Sequence, residues 1–234
     1  CPVCQPSRSS LLSGQHSRSC TGELNNHHRL DSDGNWYFPD PPSVERSHFP
    51  EGTLAETLGR EGYRTGIIGK WHILPRPQLL GFDEACYPMV HHRNYQQAYF
   101  DNDISYVVDD FAPEFEQQKV RDFIETSSED PFFLFYNISL PHMPLLDAPE
   151  RYLRMYDPDE VPRRPNVRLR EDREFRKHWF RTYLSTYHPH APDRTDLGDG
   201  WERYDLGDLI AFYYGLITCV DDQVGRLMEC LERE

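Results

Sequence analysis

Long apolar runs are missing from this sequence. No window reaches the roughly 18 apolar residues that a membrane-spanning helix needs, so no membrane span is expected. Positive charge is scarce too: 25 Lys and Arg stand against 39 Asp and Glu, a formal net charge of −14. That balance argues against nucleic acid or anionic membrane as general partners, since both recruit clustered cations. Cysteine is sparse, with six residues at 1, 4, 20, 86, 219 and 230. A disulfide scaffold of this size would need more, although one or two bridges remain open. A charged leader followed by a short apolar core is also missing, and the first methionine is Met89. The chain opens on Cys1 and stops at LERE within a helical pattern. It therefore reads as an internal piece of a longer protein, and the missing leader carries no information on location.

What is present describes a globular α/β protein. The 234 residues are 38% hydrophobic and 13% aromatic, enough for one large domain or two small ones with a real core. Residues 5–13 read as a short helix with Pro6 in its first turn. Residues 21–50 are rich in Asn, His, Asp, Gly and Pro and read as a surface loop. A helix is expected over 53–63, with Leu54, Ala55 and Leu58 on one face and Gly59 or Gly62 ending it. A buried strand follows over 64–72. Residues 73–103 look irregular, and 104–108 a brief strand. A helix over 112–127, capped by Asp110, would turn Phe115, Val120, Phe123 and Ile124 inward. The run over 131–140 is apolar throughout, as expected of a central strand covered on both faces. Residues 144–204 form a long Pro- and Arg-rich region with some helix near 171–184. The clearest helix is 206–231, apolar every three or four residues and carrying Cys219 and Cys230. Strands alternating with helices predict an α/β architecture with a largely parallel sheet. No internal repeat is seen.

Several short motifs invite chemistry. Cys1 and Cys4 have the spacing of half a zinc site or a redox pair. No second Cys-x2-Cys or His-x3-His supports zinc, and the flanking elements do not suit a thioredoxin-like redox site. Asp31-Ser32-Asp33-Gly34-Asn35 begins like a calcium loop, but the twelfth position is Pro42 rather than a bidentate Glu, so a polar turn is expected. Asn137-Ile138-Ser139 is a glycosylation sequon placed in a strand expected to be buried, so its use is not expected. Residues 163–181 hold eight basic and three acidic residues. They read as a solvated face, with a rim for a polyanion as the alternative.

Four other blocks fall into one pattern. Cys4-Gln5-Pro6-Ser7-Arg8, then Leu11-Leu12-Ser13-Gly14, resembles the signature of type I sulfatases, C-x-P-S-R-x-x-x-[LM]-[TS]-G. Gly62 to His72, GYRTGIIGKWH, is similar to that family's second signature at every fixed place. Pro141-His142-Met143-Pro144 resembles the family's strand-end P-H-x-P. Val220 to Gly225 resembles its helix before the last metal-binding strand. The blocks lie in the family's order and span nearly the whole chain.

The resemblance implies an alkaline-phosphatase-like fold, with residues 1–234 as a catalytic domain truncated at both ends. It implies a sulfuric ester hydrolase whose Cys4 is oxidised to formylglycine (3-oxoalanine) by a formylglycine-generating enzyme. The hydrated aldehyde offers one hydroxyl to attack sulfur and a second whose deprotonation expels sulfate, a covalent route with a built-in release. In this reading Lys70 binds a sulfate oxygen, His72 takes the diol proton, His142 contacts the sulfate or leaving-group oxygen, and Arg8 holds the hydrated aldehyde. A helix start behind Cys4 favours the anion. The family binds calcium. Of its ligands only Cys4, as formylglycine, can be assigned here, since the others are expected before Cys1 and beyond residue 234. The isolated chain is therefore expected to be inactive. Asp221 and Asp222 are read as structural. His91, His92 and Arg93 are possible anion contacts. A sulfated small molecule or glycan is the expected substrate class, and an extracytoplasmic compartment (periplasmic, secreted or lysosomal) follows from the resemblance. The alternatives are a phosphatase or phosphodiesterase of the same superfamily, or a non-catalytic relative that binds sulfated glycans.

Overall fold

The computed structural model describes residues 3–21, 29–30, 36–37, 44–46, 49–89, 93–127, 130–166, 173–184 and 200–233. Cys1, the Asp31 to Asn35 motif, His91, His92 and part of the basic run lie outside them. The chain begins with α1 (Cys4–Ser13) and α2 (Ser17–Thr21), followed by a minimal antiparallel pair, β1 (Arg29–Leu30) with β2 (Trp36–Tyr37). Helix α3 (Leu54–Arg60) starts at a capping box: the Thr53 hydroxyl accepts from the Glu56 N–H, and the Glu56 carboxylate accepts from the Thr53 N–H. Leu54 is exposed, so the buried face of α3 is set by Ala55 rather than by the expected Leu54–Leu58 stripe.

Strand β3 (Arg64–Gly69) is the spine of a five-stranded sheet that also holds β4 (Glu84–Pro88), β5 (Gln97–Asp101), β6 (Ile104–Val108) and β7 (Phe132–Asn137), in the order β6-β5-β4-β3-β7. β3 runs parallel to both β4 and β7. β4–β5 and β5–β6 pair antiparallel, so the parallel part of the sheet is its β4-β3-β7 half. β4 and β5 correct the expectation of an irregular 73–103 segment. Each has five residues, and Pro88 and Asp101 sit at strand ends, where they cost little. β7 was expected in the centre. It is the last strand in the order among the described residues, and its side chains are half-buried throughout.

Helix α4 (Ala112–Glu125) packs on one face of β3, burying Val120, Phe123 and Ile124 as its pattern predicts. Its N-cap is Phe111, with Pro113 in the first turn, and not Asp110. After α5 (Glu150–Leu153) and α6 (Arg173–Leu184), the 26-residue α7 (Leu206–Leu231) begins at an Asp205 capping box. Arg226 and Arg151 both reach Glu114, tying α7 and α5 to α4. Asp222 accepts the Tyr152 hydroxyl at 2.8 Å, a structural use of an acid that was read as structural. Cys219 and Cys230 are buried apolar groups, as expected.

Candidate active site

The ends of β3 and β7 and the start of α1 meet at one place. Cys4 is the first residue of α1, and Val3, its N-cap, offers no side-chain hydrogen bond. The first-turn N–H groups of α1 therefore face outward with the positive end of the helix dipole. At the end of β3, Gly69 takes φ +84, a left-handed value that glycine adopts without cost. This turn swings Lys70 out of the strand while its N–H still donates to Asn137 O of β7 at 2.8 Å. Arg8, one turn along α1, donates from Nη1 to Lys70 O at 2.7 Å. The backbone of Lys70 is thus held at its N–H by β7 and at its carbonyl by α1.

The side chains converge on sulfur. Lys70 is 2% exposed, and its Nζ stands 3.6 Å from Cys4 Sγ. His142 follows β7 and hydrogen-bonds Cys4. Its Nδ1–H donates to Met143 O at 2.8 Å. The electrostatics follow from this geometry. The His142 hydrogen bond, with the Lys70 charge in support, outweighs burial and brings the Cys4 thiol down to about 6. Burial, helped by the Arg8 charge, pushes Lys70 down to about 8, while Cys4 opposes that shift. Burial also lowers Arg8. Lys70, Arg8, His142 and a helix start together surround Cys4 with groups that favour an anion.

Of the residues expected to act, Cys4, Arg8, Lys70 and His142 are brought together. His72 sits on the same turn, buried and at φ +51, but it is not among the groups that shift Cys4. Trp71 between them is anchored by its indole N–H on Pro75 O at 2.8 Å. Arg93 is buried, and its carbonyl accepts from Gln97 Nε2. Among the described residues no three His, Cys, Asp or Glu side chains converge, and the immediate neighbours of Cys4 are Lys70 and His142. The residues described do not hold a divalent cation by themselves.

Glu116 was missed. It lies on the inward face of α4 at 1% exposure, accepts the Tyr99 hydroxyl at 2.9 Å and interacts electrostatically with Arg8. The signal was available: an acid in the register of Ala112, Val120 and Phe123, where the helix pattern calls for an apolar side chain.

Known proteins resemble this chain in sequence and in fold. The ulvan-active sulfatase of Formosa agariphila is 29% identical over 202 residues, covering 81% of this chain and 35% of that protein. The mouse (Mus musculus) N-acetylgalactosamine-6-sulfatase is 32% identical over 172 residues, covering 62% of this chain and 32% of that protein. Among solved structures, BT4656 in complex with its substrate D-glucosamine-2-N,6-O-disulfate superposes with a TM-score of 0.64 at 20% identity, covering 97% of this chain and 52% of that one. The chain thus spans about a third to a half of the length of these relatives, and its fold is the α/β, alkaline-phosphatase-like one. The Sulfatase family model matches residues 1–234, and this chain belongs to the sulfatase family.

Proposed function

We propose that the protein containing this chain hydrolyses a sulfate ester on a carbohydrate, with formylglycine made from Cys4 as its nucleophile. The observation that carries the reading is the convergence of Lys70, Arg8 and His142 on Cys4 at the start of α1. The hydrated aldehyde supplies a nucleophilic hydroxyl and a second hydroxyl whose ionisation releases the product. The chain's own residues do the rest. Lys70 Nζ binds a sulfate oxygen, and its buried charge gains strength from the low local dielectric. Arg8 holds the Lys70 carbonyl and adds positive charge behind it. His142 meets the Cys4 side chain, its ring oriented by the bond from Nδ1–H to Met143 O. His72 takes the role the resemblance implies, accepting the proton whose loss frees the product.

The sulfated-carbohydrate class is supported by relatives named for ulvan, N-acetylgalactosamine-6-sulfate and a disulfated glucosamine. Calcium belongs to the reading as the family's ion, with Cys4 as its one ligand from this chain and the remaining shell supplied by the rest of the protein. The partner that converts Cys4 is a formylglycine-generating enzyme, and the setting is extracytoplasmic. The isolated 234-residue chain is then inactive, because the described residues do not form a cation shell. Full-length protein co-expressed with the converting enzyme should release sulfate from sulfated monosaccharides, and the isolated chain should not. Sulfate release by the chain alone would overturn the placement of the metal ligands. No release by converted full-length protein across sulfated sugars would overturn the substrate class.

A further inference from the structure

The geometry points to Glu116 as a positioning residue that clamps the Gly69–Lys70 turn and Arg8 against the start of α1. Glu116 Oε1 is fixed by the Tyr99 hydroxyl from β5. Oε2 is buried and makes no hydrogen bond among the described residues. It lies 3.2 Å from where a Cβ on Gly69 would sit, directly against the residue that turns Lys70 out of β3. Arg8, whose Nη1 holds the Lys70 carbonyl, interacts electrostatically with the same carboxyl. A buried polar oxygen without a partner is costly, and an aliphatic side chain would fill a core position at no such cost. Its place behind the peptide that carries Lys70 gives that polar group a task.

Burial pushes Glu116 up to about 8, so at neutral pH it serves mainly as the protonated acid. Its charged and titratable neighbours are Arg8 on α1, Tyr99 on β5, Tyr136 on β7 and Cys86 on β4. The clamp on the turn therefore works mainly through shape, with the carboxyl held by the Tyr99 hydroxyl, and the attraction to Arg8 belongs to the ionised fraction. Gln should replace Glu116, and Leu should not.

The test uses the full-length protein in two forms. In the unconverted form, the rate of Cys4 alkylation by iodoacetamide at pH 7 reads the placement of Lys70 and His142 without any catalytic step. In the converted form, kcat and KM on a sulfated monosaccharide read the same placement during turnover; this arm alone rests on the function proposed above. E116Q should stay within about threefold of wild type in both, whereas E116L should stay folded and lose about tenfold or more in alkylation rate and in kcat, with KM changed far less. A V120A variant, which loosens the same helix without touching the turn, should lose stability and keep the alkylation rate. Wild-type alkylation in E116L would overturn the clamp. An E116Q as impaired as E116L would overturn the neutral-acid role, and equal loss in V120A would reduce the effect to general loosening. If wild-type protein alkylates as expected but releases no sulfate, the proposed function fails while the alkylation series still decides the role of Glu116.

Discussion

Alanine at Gly69 should be far more damaging than its single methyl group suggests. Gly69 holds φ +84, which costs an L-residue about 1–2 kcal/mol. The new Cβ would stand 2.3 Å from Asn137 O and 3.2 Å from Glu116 Oε2. The first contact is with backbone, so β7 must retreat, and overpacking of this kind costs about 1–3 kcal/mol. The retreat strains the bond from Lys70 N–H to Asn137 O, 2.8 Å in the intact protein, for about 1 kcal/mol more. The total is roughly 3–6 kcal/mol, a large part of the 5–15 kcal/mol that holds a typical domain together. At about 2–4 °C per kcal/mol for a chain of this size, the melting temperature should fall by roughly 6–24 °C. Gly62→Ala is the control. Its φ of +86 is as strained for alanine, yet its Cβ would meet nothing within 4 Å, so only the conformational part of about 1–2 kcal/mol should be lost. Urea and thermal unfolding followed by circular dichroism would compare the two. A G69A protein no less stable than G62A would refute the close contact between the β3 turn and β7.

Lys70→Met should lower kcat on a sulfate ester by about 10²–10³, with the protein still folded, because a buried charge aimed at the sulfate is lost; steady-state kinetics with a melting curve would check this. In unconverted protein, Cys4 alkylation should reach half its maximal rate near pH 6, since the thiolate is held by His142 and Lys70. H142A should move that midpoint up toward the ordinary thiol value, and an unmoved midpoint would remove His142 from the site. The same depressed value means that the thiolate's contribution to stability is whole above pH 9 and is lost as pH falls through about 6. Glu116 carries the opposite sign. Its acid is raised from 4.5 to about 8, so its favourable share is present below pH 4.5 and is lost as pH rises through 8. E116Q should flatten that alkaline decline in denaturant titrations.

The elements that frame the site were legible because their patterns are strong. The 3–4 residue spacing of 206–231, the strand pattern within 64–72 and the apolar run of 131–140 leave little choice of structure. The site itself was legible as motif, and the geometry gives the motif its physical sense: glycine before Lys70 because the backbone turns there, arginine after Cys4 because it must reach the Lys70 carbonyl. β4 and β5 were not legible. Five-residue strands carrying Glu, Pro, Gln and Asp lack a clean alternation, and their burial comes from neighbours distant in sequence. The Asp110 cap failed because Pro113 and Phe111 set the start of α4 instead. Glu116 falls in the buried register of α4, but an acid on a helix is normally solvated, and the packing of β5 and α1 around it decides for burial.

The central claim is that Cys4 is the precursor of the nucleophile. The mass of the peptide containing Cys4, from full-length protein produced with a formylglycine-generating enzyme, tests it directly. The expected result is loss of the sulfur and an aldehyde in its place, reactive toward hydrazides. An intact thiol at Cys4 under those conditions would contradict it.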